Sequence, residues 1–210
     1  MKVSVAKEKI LKKIRQALST PVPVPFPQSE GTDSVFPAAT QDLALEFAEN
    51  FTGLLGKFSF CMNESELVQQ LNTLAEARKW ENIYCRENSL REILQRHRWA
   101  KNFSDDLPAC NASITSCECL IARTGSIMMS SAQQSRTPSV YAPVHICIAY
   151  ADQLLYDIKN AFAKMKEKYK DRMPSLVTFA TGPSRTADIE KTLVVGVHGP
   201  KEVFCFLIDR

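Results

Sequence analysis

The feature that most constrains this chain is the strand-length run Val144–Ala149, apolar at both odd and even positions and broken only by His145. A strand buried on one face alternates apolar with polar, whereas a continuous apolar run marks a strand covered on both faces. The surrounding periodicity agrees with a layered architecture. From residue 40 the pattern switches repeatedly between helical and strand periods. It predicts a helix over 41–55 with Leu43, Phe47, Phe51 and Leu54 on one side, a strand over 57–61 and a helix ending near Lys79. Asn63 with Glu66 three residues on marks the start of that second helix. A strand over 82–85, a helix over 89–96 and a strand over 113–115 follow. Cys119–Arg123 and Ile127–Ser130 read as two strands around a Thr124-Gly125 turn, and 152–168 reads as one long amphipathic helix. Strands over 176–180, 193–197 and 203–208 complete the set. Such alternation predicts an α/β fold, a layered, mostly parallel sheet flanked by helices, with some antiparallel pairing in the last third.

The amino-terminal part is different. Residues 3–18 carry apolar side chains at helical spacing, together with Lys7, Lys9, Lys12, Lys13 and Arg15 against the single acid Glu8. The segment Pro21-Val22-Pro23-Val24-Pro25-Phe26-Pro27 has proline at alternate positions, which blocks both helix and ladder pairing and favours an extended linker. The expected organisation is a basic helix and proline-rich linker over 1–37 and an α/β domain over 38–210. The formal charge is +3. Residues 1–19, with Lys2 included, carry a net +5, so the remaining chain is −2, which argues against a general nucleic-acid binder in the body. The basic helix reads as a solvated face or as a contact for an acidic partner or a membrane surface. No apolar run approaches a membrane span, and no secretory signal is visible.

Seven cysteines (61, 85, 110, 117, 119, 147 and 205) are scattered, several inside apolar runs such as Phe204-Cys205-Phe206. Free cysteine buries like a small hydrophobe. An odd, scattered set points to a reducing, cytoplasmic location rather than a disulfide framework. Neither an iron–sulfur spacing nor a zinc pattern is present, so no metal site is expected in this chain.

Four of the seven glycines (Gly125, Gly182, Gly196 and Gly199) lie in polar turns of the second half. In Ala122-Arg123-Thr124-Gly125-Ser126, the glycine permits a close backbone approach, and Thr124 and Ser126 offer hydroxyls to a phosphate or carboxylate; a plain tight turn explains the same residues. The second motif, Gly182-Pro183-Ser184-Arg185-Thr186-Ala187-Asp188-Ile189-Glu190, follows an apolar strand. Ligands in open α/β sheets sit outside the carboxyl ends of strands. Arg185 suits bidentate capture of an anion. Asp188 and Glu190 fall on one side of an extended segment, placed to fix Arg185, move protons or bind a cation. A Gly-Pro turn with a surface ion pair is the structural alternative. In Gly196-Val197-His198-Gly199-Pro200, His198 is a candidate proton carrier or a structural histidine. His145, inside its apolar strand, reads as a core residue. The candidate site is therefore Arg185, Asp188, Glu190 and His198 for chemistry, with Thr124, Gly125, Ser126, Gly182, Pro183, Ser184, Thr186 and Gly199 around a ligand. The loop 182–190 is expected at the carboxyl end of a central strand, facing Thr124-Gly125. Walker A, dinucleotide-binding and nucleophile-elbow patterns are absent, which argues against P-loop, Rossmann and α/β-hydrolase chemistry.

Taken with Pro143-Val144-His145-Ile146 and Ala151-Asp152-Gln153, these motifs resemble the LUD-domain family of lactate-utilisation proteins, over roughly residues 112–210. The resemblance implies a fold of the NagB/RpiA/CoA-transferase-like group. It further implies a part in oxidising L-lactate to pyruvate, with no cofactor in this chain and iron–sulfur clusters on partner subunits. At Arg123 the family usually has an acid, so any chemistry of that acid is altered here. Two other readings stay open: a stand-alone enzyme or binding protein for a phosphorylated or carboxylate small molecule on the same fold, and a non-catalytic assembly module.

Overall fold

In the computed structural model, which describes residues 5–19, 36, 38–39, 41–132, 137–187 and 193–209, the chain divides into two units, residues 1–38 and 39–210. The first unit contains helix α1 (Val5–Leu18). The second runs α2 (Leu43–Gly53), β1 (Lys57–Cys61), α3 (Glu64–Ala77), β2 (Asn82–Tyr84), α4 (Asn88–Arg96), β3 (Asn102–Ser104), β4 (Ala112–Thr115), β5 (Cys119–Ile121), β6 (Ser126–Ser130), α5 (Thr137–Tyr141), β7 (Val144–Tyr150), β8 (Leu154–Leu155), α6 (Ile158–Tyr169), β9 (Val177–Ala180), β10 (Arg185–Ala187), β11 (Leu193–Val195) and β12 (Glu202–Ile208). None of the helices among the described residues is long and apolar enough to cross a membrane.

The main sheet has six strands in the order β1-β12-β7-β4-β2-β3, with every neighbouring pair parallel. The continuous apolar strands β7 and β12 lie inside it and pair in register, Cys147 opposite Cys205. Successive side chains point to opposite faces of a strand. Ile146, Ile148, Phe204, Phe206 and Ile208 therefore meet Leu67, Leu71, Leu90 and Leu94 of α3 and α4. Cys147, Ala149, Val203, Cys205 and Leu207 meet Phe47 and Phe51 of α2 and Leu120, Ile127 and Met129 of a smaller sheet. That sheet, β8-β5-β6-β9, mixes parallel and antiparallel pairs. Its outer side is covered by Ala161 and Met165 of α6. β10 and β11 form a separate antiparallel hairpin.

The α/β reading and the strand positions agree with the sequence patterns. The capping pair is present: Asn63 accepts from the Glu66 amide at 2.9 Å, and Glu66 accepts from the Met62 amide at 2.8 Å. One expectation is corrected, because the long helix does not begin at 152: residues 151–153 form a single 3-10 turn and 154–156 are not helical. The Gln153 side chain ties the Cys117 carbonyl at 2.7 Å and the Tyr150 amide at 2.8 Å, and Leu154 and Leu155 pair with Leu120 and Ile121. The helix starts only after Asp157, whose carboxylate accepts from the Lys159 amide at 2.9 Å. The periodicity also missed three short elements, β3, α5 and β10.

Phe51 is fully buried and stacks on Phe47 with centroids 5.3 Å apart. Phe51→Ala is expected to lower unfolding stability by about 3–5 kcal/mol through the cavity it leaves, read as a lower denaturant midpoint.

Candidate functional site

The site is organised by the last turn of α2. Asp42 caps the helix by accepting from the Ala44 amide at 2.9 Å, and Phe47 and Phe51 pin it against the sheet. Two glycine turns then rest on its carboxyl end. Gly125 has φ 58°, and a Cβ there would lie 2.5 Å from the Phe51 amide nitrogen. Gly182 has φ 85°, and a Cβ there would collide with the Leu54 carbonyl oxygen. Left-handed backbone and zero clearance both require glycine. Asn50 adds side-chain bonds to the carbonyls of Ala122 at 2.9 Å and Arg123 at 3.3 Å.

The two turns also meet each other. Thr124 donates its hydroxyl to Ser126 Oγ at 2.8 Å, and the Ser126 and Thr181 hydroxyls share a hydrogen bond of 2.9 Å. The second turn is stitched onward: the Ser184 amide donates to the Pro200 carbonyl at 2.9 Å, and the Gly196 amide to the Ser184 carbonyl at 2.8 Å. Lys201 in turn donates its amide to the Pro143 carbonyl at 2.8 Å. Thr124, Gly125, Ser126, Gly182, Pro183, Ser184 and Gly199 thus belong to one connected system of turns. Arg185 is exposed and opens β10 opposite Val195. Thr186 pairs through its backbone with Val194. Asp188 and Glu190 lie outside the described residues.

Beside these turns a cleft of about 500 Å³ is lined by Thr137, Tyr141, Pro143, His198, Gly199 and Lys201. Its described charged or titratable groups other than Tyr141 are basic, His198 and Lys201, both exposed. The cleft sits at the amino-terminal edge of β7 and β12, since Pro143 and Lys201 immediately precede those strands. The expected carboxyl end of a central strand is therefore corrected. The motif follows β9, the edge strand of the smaller sheet, so the placement rule for parallel sheets does not carry over to it.

The carboxyl edge of the main sheet is acidic, and sequence reasoning missed it. Glu87, beyond β2, accepts from the Ser116 amide at 2.8 Å and from the Ser116 hydroxyl, beyond β4. Burial raises the Glu87 carboxyl above its ordinary value against the pull of those two bonds. Glu64 accepts from Tyr150 Oη at 3.0 Å and lies 3.4 Å from His97 Nε2, beside a cavity of about 410 Å³. Glu118 is nearly enclosed and accepts from Ser130, Lys168 at 2.8 Å and Tyr169 at 2.7 Å. An acid between two cysteines, Cys117-Glu118-Cys119, was the one available signal; Glu87 and Ser116 are 29 residues apart and gave none.

His145 is a core residue: it is fully buried, its Nε2 lies 2.8 Å from Thr115 Oγ1, and burial holds its pKa down at about 4. The cysteines are all free and buried, and burial pushes Cys61 and Cys85 up to about 11 and Cys119 to about 12, so these thiols stay protonated. Arg123 pairs with Asp157, Nε to Oδ2 at 2.5 Å, and its amide donates to the Tyr156 carbonyl at 3.0 Å.

The chain matches the LUD domain over residues 44–208. An uncharacterized protein of Neisseria meningitidis is 34% identical over 111 residues, 52% of this chain and 46% of that protein. Lactate utilization protein C of Bacillus licheniformis is 36% identical over 104 residues, 48% of this chain and 43% of that protein. Lactate utilization protein C of Deinococcus radiodurans is 30% identical over 100 residues, 47% of this chain and 46% of that protein. The matched segment thus spans under half the length of these relatives. The crystal structure of a DUF162 family protein from Deinococcus radiodurans shares the fold, with TM-score 0.60 and 16% identity over 82% of this chain and 99% of that one.

Burial raises the Glu118 carboxyl, but hydrogen bonds from Lys168, Ser130 and Tyr169 outweigh it and hold the group below its ordinary 4.5. A depressed folded value adds stability above the unfolded value, and that stability is lost as pH falls through the folded one. Glu118→Gln is expected to lower stability by about 1–3 kcal/mol at neutral pH. The melting-temperature gap to the unsubstituted protein should narrow steadily as pH drops below 4.5.

Proposed function

The chain belongs to the LUD domain family, and on that premise we propose that it serves lactate utilization. Its part is that of a cytoplasmic component which supports oxidation of L-lactate to pyruvate alongside partner subunits that carry iron–sulfur clusters. The observation that carries this reading is the repeated name Lactate utilization protein C among relatives from 30% to 36% identical to this chain.

The physical support lies in two places. The cleft beside Gly196–Lys201 offers an imidazole and an ammonium to a small anion. Arg185 stands one residue from Ser184, whose backbone holds that turn. A guanidinium keeps its charge at any working pH and presents a planar fork to a carboxylate. The donors of an iron–sulfur cluster, by contrast, do not fit the described residues. All seven cysteines are buried, and no three His, Cys, Asp or Glu side chains among the described residues converge on a metal position. The role proposed for this chain is anion binding and docking, with electron transfer assigned to the partners.

The test is growth on L-lactate as sole carbon source after deletion of the gene, restored by the unsubstituted gene and challenged with Arg185→Lys. The expected result is loss of growth on deletion and no rescue by Arg185→Lys, with a melting temperature close to the original. Charge-assisted hydrogen bonds to an anion contribute roughly 1.5–3 kcal/mol, about ten- to over a hundredfold in affinity. Normal growth of the deletion strain overturns the lactate role. Normal growth with Arg185→Lys, or failure only because the variant unfolds, removes Arg185 from the site. Tight binding of a phosphate ester by the purified chain, with growth unaffected, favours a stand-alone enzyme or binding protein instead.

A further inference from the structure

Helix α1 exposes a continuous aliphatic stripe: Ile10 is 58% exposed, Ile14 48%, Leu18 77% and Leu11 36%. With 3.6 residues per turn, these four fall along one side of the helix. Lys13 and Arg15 stand to either side of the stripe, Lys9 and Lys12 lie further round, Lys7 falls in line with the stripe one turn before Ile10, and Glu8 is the one acid of the helix. All of these side chains are exposed.

We propose that α1 attaches the protein to an anionic lipid surface. The helix lies along the surface, with Ile10, Ile14 and Leu18 at the boundary between headgroups and acyl chains and its basic side chains against lipid phosphates. A strongly charged helix with one apolar stripe and basic residues on its polar side binds in the plane of a membrane interface. Its 14 residues fall short of the roughly 20 needed to span a bilayer, so it lies on the membrane. Charge selects the occupant. An apolar stripe alone suits any apolar face, whereas four basic side chains around it call for negative charge on both flanks. Long basic side chains satisfy that geometry by running their stems along the apolar boundary while their heads stay among the phosphates. A protein groove of acidic character offers the same sign, but tight protein contacts concentrate on aromatic and arginine anchors. α1 contains no aromatic residue and a single arginine, Arg15, its other four basic residues being lysines. The attachment does not depend on the lactate reading.

The test is sedimentation of the full-length chain with vesicles of phosphatidylcholine alone or of phosphatidylcholine with phosphatidylglycerol. Binding is expected to favour the phosphatidylglycerol vesicles by on the order of tenfold or more, and to fall as salt screens the charges. Ile10→Ser with Ile14→Ser, and separately Lys12→Glu with Lys13→Glu, should each abolish it while the melting temperature is kept. Leu18→Ser, at the exposed end of the helix, replaces the isoleucine pair if that variant melts early. No binding to phosphatidylglycerol vesicles, or equal binding to both compositions, overturns the proposal. So does full binding by the Ile10/Ile14 variant, which would leave only surface charge. Retention on polyglutamate without vesicle binding also overturns it, in favour of an acidic protein partner.

Discussion

Two adjacent strands that are apolar on both faces have to be covered twice, and most of the architecture follows from that requirement. β7 and β12 send Ile146, Ile148, Phe204 and Phe206 one way and Cys147, Ala149, Cys205 and Leu207 the other. At about 25 cal/mol per Å² of apolar surface removed from water, leaving either face wet would forfeit a large share of a small domain's narrow margin of stability. The first face takes α3 and α4. The second takes α2 and the small sheet, and that sheet then needs α6 on its own outer side. The small cysteines on the second face leave room for Phe47 and Phe51.

The position of the polar turns is a consequence of this wedging. Once α2 is pinned by two buried phenylalanines, its last turn becomes a fixed backbone surface. The turns at Gly125 and Gly182 can approach it only without a Cβ. The glycines are thus explained by packing, and the hydroxyls of Thr124, Ser126 and Thr181 are spent largely on one another. What faces solvent is the adjoining rim, with His198 and Lys201, while Arg185 is exposed on the hairpin that follows. The opposite edge of the main sheet carries Glu64, Glu87 and Asp209.

The elements legible in the sequence were those whose side chains are spent on burial. Val144–Tyr150, Glu202–Ile208 and α3 show periods that burial imposes directly. Residues 154–157 were misread because Leu154 and Leu155 sit at helical spacing with Ile158 while serving a two-residue strand, and only the distant partner β5 decides between the two. β3, α5 and β10 have 3, 5 and 3 residues, too few for any period to show. The meeting of the two glycine turns was legible from their shared polar character. The Glu87–Ser116 and Glu118–Lys168 contacts, 29 and 50 residues apart, arise from topology alone.

Arg123 shows how a departure from a family pattern is absorbed. Where the resemblance implies an acid, this chain places a guanidinium 2.5 Å from Asp157. That same carboxylate caps α6 through the Lys159 amide. The Lys159 amide, ahead of the Arg123 guanidinium, holds Asp157 below its ordinary value against the modest penalty of burial. An acid at position 123 would instead face Asp157, and two carboxylates at that distance repel. The arginine therefore ties the turn before Gly125 to the start of α6, and a basic residue here has a structural partner independent of any ligand. Proton transfer by an acid at this position is consequently not available to this chain. The charged lining of the cleft comes from His198 and Lys201, and the turn that carries Arg123 is not part of it.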